Sequence, residues 1–340
     1  MGEIAQKAIN EARKKLAGEI NAKPHEILFT SSATESNNIA LRALAKTKPH
    51  KKPKIIISSV EHPSINEVAN YLGNQGYKII RIPVNKEGII DINYLEKEID
   101  KEPEKIYLVS VMHVNNIFGT VQYIEKMGKI CKEKNVIFHT DAVQSFGKLK
   151  IDVNKMNISM LSASAHKIHG PKGIGFLYVK NGIKLIPWLF GGGQEKDLRS
   201  GTENVPAIIG FARALELTRK INKEKIRKAR DKLIIKLEKL GGKINGPKDE
   251  RRVYNNVHVS FPGINNETLV TFLSNKGIYV SAGSACDSKK EKEDYVLKAL
   301  GLNKKERDGS IRITIGEEIS EKDVDFVVGE IKKSVKKLRI

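Results

Sequence analysis

Short, almost unbroken apolar runs separated by helical periodicity constrain this chain most. Residues 54–59, 105–112, 136–141 and 158–164 show little of the polar alternation of a strand with one wet face, so they are expected to be buried on both faces. Strands are also predicted over 26–30, 77–82 and 173–180, with helices over 4–16, 34–45, 63–74, 93–99 and 124–134. Such an alternation predicts an α/β fold, a mostly parallel sheet with helices on both faces. Residues 206–240 predict a long helical stretch rich in Lys, Arg and Glu and ended by Gly241-Gly242. Beyond it, strands over 256–261, 277–281 and 310–315, with helices over 267–276 and 321–338, predict a smaller C-terminal α+β domain. The expected division is a large domain over 1–222 and a small one over 223–340.

A chain of 340 residues has material for two such domains, and 40% hydrophobic with 29% charged residues is a globular composition. No apolar run reaches the roughly 20 residues that cross a bilayer, and Met1-Gly2-Glu3-Ile4 lacks the start of a signal peptide, so a cytoplasmic protein without membrane association is expected. The net charge of +20 is spread along the chain. With 6% aromatics and no RNP-like or zinc-finger spacing, it reads as solvated faces, and direct nucleic-acid binding is not expected. Two cysteines make neither a disulfide framework nor a metal site. Cys131 falls in a helical apolar pattern and is expected to be packed. Cys286, among the small polar residues of 281–288, reads as an exposed thiol, a liability unless it is used.

Three segments can carry chemistry. Thr30-Ser31-Ser32-Ala33-Thr34-Glu35 lies between a strand and a helix start. It reads either as a capping box of Ser32 with Glu35 or as a cradle for an anion at a helix N-terminus. Phe138-His139-Thr140-Asp141 is an apolar strand ending in a carboxylate, and Ser162-Ala163-Ser164-Ala165-His166-Lys167 is another ending in a lysine. Adjacent strand ends can bring Asp141 and Lys167 into one crevice, the pair that pyridoxal phosphate (PLP) needs: a Schiff-base lysine and a carboxylate that keeps the pyridine nitrogen protonated. A lysine titrating near about 10.4 must be shifted by burial or by a neighbouring cation to be neutral.

With TSSATESNN, Glu61-His62-Pro63, VSVMHVNN, DAVQ, SASAHKIHGPKGIG, GGGQEKDLRSGTEN, GSACDS and SIRITIG in this order, the chain resembles the cysteine desulfurases, class V aminotransferases of PLP fold type I. The resemblance implies that Lys167 binds PLP as a Schiff base, that Asp141 pairs with the pyridinium nitrogen and that His62 stacks on the ring. By itself His62 reads as a capping or turn residue before Pro63. Ala33, Thr34, Ser164 and His166 are implied at the phosphate, Gln144 at the phenolic oxygen, and Asn116 beside the cofactor and substrate. Thr202 is implied to reach the phosphate of a neighbouring subunit, hence a homodimer. Arg312 is implied to bind the carboxylate of L-cysteine, for which its fork of donors is suited. Cys286 is implied to take the sulfur as a persulfide, leaving alanine, with His62 as the candidate acceptor of its proton. The persulfide would then serve an acceptor protein such as an iron-sulfur cluster scaffold, or tRNA thiolation.

Two departures accompany the resemblance. The family normally has a further N-terminal segment of several tens of residues, whereas this sequence starts within the following helix. A misplaced start, a natural truncation and a degenerate paralogue are the three expectations. Ile117 and Phe118 follow the paired asparagines where the family usually has an acidic residue first. The alternatives to a desulfurase are a selenocysteine lyase or another class V aminotransferase, and a non-catalytic scaffold.

Overall fold

The computed structural model describes residues 2–44, 53–282 and 295–339. The chain divides into two compact units. The first comprises Met1–Ile82, Asp91–Val114 and Tyr123–Lys220, and the second Pro83–Ile90, Asn115–Gln122 and Ile221–Ile340.

In the first unit, seven strands form one sheet: β1 (Ile27–Thr30), β2 (Lys54–Ser58), β3 (Lys78–Ile82), β4 (Ile106–Ser110), β5 (Ile137–Asp141), β6 (Met160–Ser164) and β7 (Gly175–Val179). Their spatial order is β1-β7-β6-β5-β4-β2-β3. β3, β2, β4, β5 and β6 are mutually parallel, and β7 runs antiparallel to both neighbours. β2, β4 and β6 are buried at every position, as their apolar sequences require, whereas the edge strand β3 turns Lys78 and Arg81 to solvent. Charged residues on an edge discourage pairing with other chains. Helices Pro63–Asn74 and Ile124–Glu133 fall where the periodicity predicts them. The helix predicted over 34–45 begins at Ala33 and passes at Ile39–Ala43 into a π-helical turn, so its apolar residues Ile39, Ala40, Leu41 and Ala43 all stay buried.

The second unit holds an antiparallel sheet of β8 (Lys243–Ile244), β9 (Asn256–Ser260), β10 (Ser281–Ala282) and β11 (Ser310–Thr314), in the order β10-β11-β9-β8. Leu233, Leu237, Val257, Val259, Phe261, Leu269, Ile311 and Ile331 lie in its core. The stretch 206–240 is two helices, not one. Val205–Thr218 belongs to the first unit and Lys223–Lys239 to the second, and Asn222 starts the latter by accepting from the Lys225 amide at 3.0 Å. The strand predicted over 277–281 contracts to Ser281–Ala282, because Gly277 adopts a left-handed turn at φ 74° after the preceding helix. Asn116 stands with the second unit through the segment Asn115–Gln122. Among the described residues no helix is long and apolar enough to cross a membrane.

Candidate active site

β5 and β6 pair in parallel with Asp141 opposite Ser162, so Asp141 and the residues after Ser164 emerge at the same, carboxyl-terminal edge of the first sheet. This is where ligands of α/β sheets bind. Asp141 is buried, and its carboxylate accepts from Asn37 Nδ2 at 2.8 Å and from the Val143 amide at 3.0 Å. Asn37 Nδ2 also donates to Ser64 Oγ, fixing the amide in place. Among the described residues Asp141 has no ion-pair partner. Two residues earlier on β5, buried His139 bridges Ser110 Oγ of β4 (2.8 Å) and Ser162 Oγ of β6 (3.0 Å). Burial pushes its imidazole down to about 3, so it serves as a neutral strut beneath the site. Sequence reasoning assigned His139 no role, because its partners lie on two other strands.

At the end of β1, Ser32 caps the helix that begins at Ala33, its hydroxyl accepting from the Glu35 amide at 3.3 Å. The reciprocal bond of the expected capping box goes instead to Ser31, whose amide donates to Glu35 Oε2 at 2.5 Å. Burial works against ionisation of Glu35, but hydrogen bonds from Ser31 and from Arg199 Nε (3.1 Å) hold its carboxyl below the usual range. The amides of Ala33 and Thr34 have no acceptor within the helix, as in any first turn. Gly175 of β7 packs against this turn: a Cβ there would stand 2.8 Å from the Ser32 carbonyl carbon and 3.0 Å from the Ala33 nitrogen. Ser164 closes β6, with its hydroxyl 2.8 Å from His166 Nδ1. Burial, followed by the charges of Lys167 and Lys172, keeps His166 below the ordinary imidazole value.

Lys167 lies in the 3-10 turn Ala165–Ile168, closed by His169 at φ 62°. It is exposed, so of the two means of favouring a neutral lysine, burial is not the one the described residues provide. A cation is at hand in Lys148, whose Nζ donates to Gln144 Oε1 at 3.1 Å. Burial, then the charge of Lys167, pushes Lys148 down to about 8.

His62 is the N-cap of Pro63–Asn74. Its Nδ1 accepts from the Ser64 amide at 3.1 Å and lies 2.8 Å from Ser64 Oγ. An Nδ1 that accepts a backbone proton fixes the neutral tautomer with its hydrogen on Nε2. While the cap is made, a neutral His62 presents Nε2 as a donor. His62 and Thr34 line one cavity of about 450 Å³ with Asn38, Arg42 and Tyr71. Preceding His62, buried Glu61 accepts from Ser58 Oγ and from the Met112 amide (2.9 Å), tying the end of β2 to the segment after β4. Burial raises its carboxyl to about 8 despite these bonds, and the charge of Asp141 adds to the shift.

In the second unit, Arg312 of β11 lies opposite Ser281 of β10 and His258 of β9. It is half-buried, donating from Nη1 to the Asn116 carbonyl at 2.8 Å and from Nη2 to Ser281 Oγ at 3.3 Å. Arg312 and Asn116, far apart in sequence, are thus brought together. Thr202 is exposed, in the loop beyond Arg199. Cys131 is packed as expected, and burial pushes its thiol up to about 12. Cys286 and its loop lie outside the described residues.

PLP fits the first unit's donor set. A protonated ring nitrogen would give buried Asp141 the cation it lacks, and hydroxyls, imidazole and first-turn amides suit a phosphate. The class-V aminotransferase family matches over residues 1–327. The chain is 42% identical to the cysteine desulfurase IscS of Clostridium botulinum, an alignment that covers 98% of this chain and 85% of that protein. The chain belongs to the cysteine desulfurases of the class-V aminotransferase family. Among solved structures, a NifS-like protein superposes with a TM-score of 0.91 at 38% identity, covering 99% of this chain and 90% of the other. SspA in complex with cysteine superposes with a TM-score of 0.83 at 36% identity, covering 93% and 88%. The family, the fold type and the PLP cofactor expected from the sequence are all borne out.

Proposed function

We propose that this chain desulfurates L-cysteine, releasing L-alanine and leaving the sulfur on Cys286 as a persulfide. The observation that carries this reading is Asp141, buried and without an ion-pair partner among the described residues, on the strand next to the one that leads into Lys167. In this reading Lys167 bonds the cofactor, Asp141 holds the pyridinium proton, and Ala33, Thr34, Ser164 and His166 hold the phosphate. Gln144 donates to the phenolic oxygen, and His62 lies against the ring, donating from Nε2. When bound, PLP supplies an electron sink for the bonds around the α-carbon of the amino acid. Arg312 anchors the substrate carboxylate beside Asn116, exchanging two neutral acceptors for a charged one. The Cβ–S bond of cysteine breaks, an S–S bond forms on Cys286 and the carbon takes a proton. L-cysteine and a thiol thus become L-alanine and a persulfide with no outside oxidant.

The wider reading has a large domain, 1–222, carrying the cofactor and a small domain, 223–340, carrying the cysteine loop. It has a homodimer in which Thr202 reaches the neighbouring copy's phosphate, and exposed Phe190 and Leu189 near the same loop support that contact. The persulfide passes to a protein of iron-sulfur cluster assembly or tRNA thiolation, in the cytoplasm. The test is the purified chain with PLP, L-cysteine and dithiothreitol, which reduces the persulfide and releases its outer sulfur as sulfide. A visible band lost in Lys167→Ala, with alanine and sulfide formed in equal amounts, is expected. Cys286→Ala should keep the band and lose desulfuration. Full turnover in Cys286→Ala would point to a different aminotransferase chemistry, and a folded chain without the band would point to a scaffold.

A further inference from the structure

We infer that Lys148 is a positioning residue of this site: it orients the carboxamide of Gln144 and sets a second positive charge beside Lys167. This rests on the reading of Lys167 and Gln144 as cofactor-binding residues. After Asp141 the chain turns tightly, with Phe146 N bonded to the Ala142 carbonyl (2.7 Å) and Leu149 N to that of Ser145 (2.9 Å). Gln144 and Lys148 therefore stand one turn apart. Phe146 anchors the turn edge-to-face on Phe176 and Phe211. Gly147, at φ 70°, presses it against the lysine segment: a Cβ there would lie 3.2 Å from Ile168 Cγ2.

Chemistry then decides the orientation of the amide. An ammonium has three donors and no acceptor, so the atom of Gln144 it meets must be the carbonyl oxygen, as the 3.1 Å contact has it. The amide nitrogen is left as the end that can meet an acceptor, which is what a phenolate oxygen requires. The repulsion between Lys148 and Lys167 is mutual, so the charge that depresses one also disfavours a proton on the other. Both effects lower the proton affinity of the lysine-cofactor linkage. Asp141, Glu61, His62, His166 and Lys172 are the other titratable groups around the site, and they remain the same in every variant below.

The experiment titrates the visible band of the cofactor-loaded protein against pH. Lys148→Met is expected to raise the midpoint by about one unit, tenfold in proton affinity. Lys148→Gln, which keeps a donor without the charge, should also raise it, and Lys148→Arg should return it to within a few tenths of wild type. If Lys148→Met does not hold cofactor, Lys148→Gln decides by the same measure. Wild-type midpoints in the loaded neutral variants would overturn the inference, as would failure of Lys148→Arg to restore the midpoint. Absence of any Lys167-dependent band in the wild-type chain is a different failure, that of the cofactor reading itself.

Discussion

The two units treat buried charge in opposite ways. In the second, Arg252 is buried and every arm of its guanidinium is used: Nε on the Pro247 carbonyl, Nη2 on that of Asn245 and Nη1 on Asn256 Oδ1. Burial, reinforced by the charge of neighbouring Arg230, pulls it down to about 9, and the chain meets that cost with its own acceptors. In the first unit, Asp141 is also buried but among the described residues receives only neutral donors, and Lys148 and Lys167 repel each other. A charge saturated by its own chain holds a fold together. A charge left without a counter-ion leaves part of its interaction to a ligand.

The largest effect should come from breaking the saturated case. Arg252→Met strands two main-chain carbonyls and the Asn256 carboxamide, at about 1–3 kcal/mol per buried group, so urea denaturation should register a loss on the order of 4 kcal/mol. Asp141→Asn is the counterpart. Asn37 Nδ2 and the Val143 amide donate to different carboxylate oxygens, so the single oxygen of asparagine keeps one of the two bonds and stability should fall by about 1–2 kcal/mol. Desulfuration should fall about 100-fold, equivalent to about 2.7 kcal/mol in the barrier. A variant that unfolds at Asp141 and a harmless one at Arg252 would reverse the contrast.

Glu61 is the intermediate case, a buried acid bonded by its own chain yet close to Asp141. Its value is raised from 4.5 to about 8, so the folded chain keeps a proton that the unfolded chain releases. The stability it contributes is fully present below about pH 4.5 and is lost as pH rises through about 8, with a slope of about 1.4 kcal/mol per pH unit between. Glu61→Gln has no such proton to lose. Urea midpoints measured from pH 5 to 8 should show the glutamine variant gaining on wild type at each step. Parallel curves would mean that Glu61 is ionised in the folded chain.

How legible these features are from sequence follows from their range. Strands β2, β4, β5 and β6 declare themselves because burial on both faces leaves a local apolar signature. Lys167, Asp141 and Arg312 stand out as candidates because a motif surrounds each. Lys148 and His139 sit in equally informative segments, but their significance depends on partners that only pairing of the strands and the turn after β5 supply. The short elements Lys243–Ile244 and Lys304–Asp308 were missed because neither is long enough to establish a period. The break between Val205–Thr218 and Lys223–Lys239 was missed because the charged periodicity runs across it, whereas the Asn222 cap is a single-residue signal.

His62 sharpens the comparison most finely, since one side chain serves both purposes. Its Nδ1 is saturated by the chain, capping Pro63–Asn74, while its ring and Nε2 are what the proposed function assigns to the cofactor. Asparagine is also a good N-cap, so His62→Asn should melt within about 0.3 kcal/mol of wild type, whereas His62→Ala should lose about 1 kcal/mol. If the ring serves the cofactor, both variants lose desulfuration to the same degree, about tenfold, because neither can stack or donate from Nε2. Wild-type turnover in His62→Asn, alongside a defect in His62→Ala, would assign His62 to the helix alone. In that event the contact between ring and cofactor would have to be dropped from the mechanism, and Lys167 and Asp141 would carry the site without it.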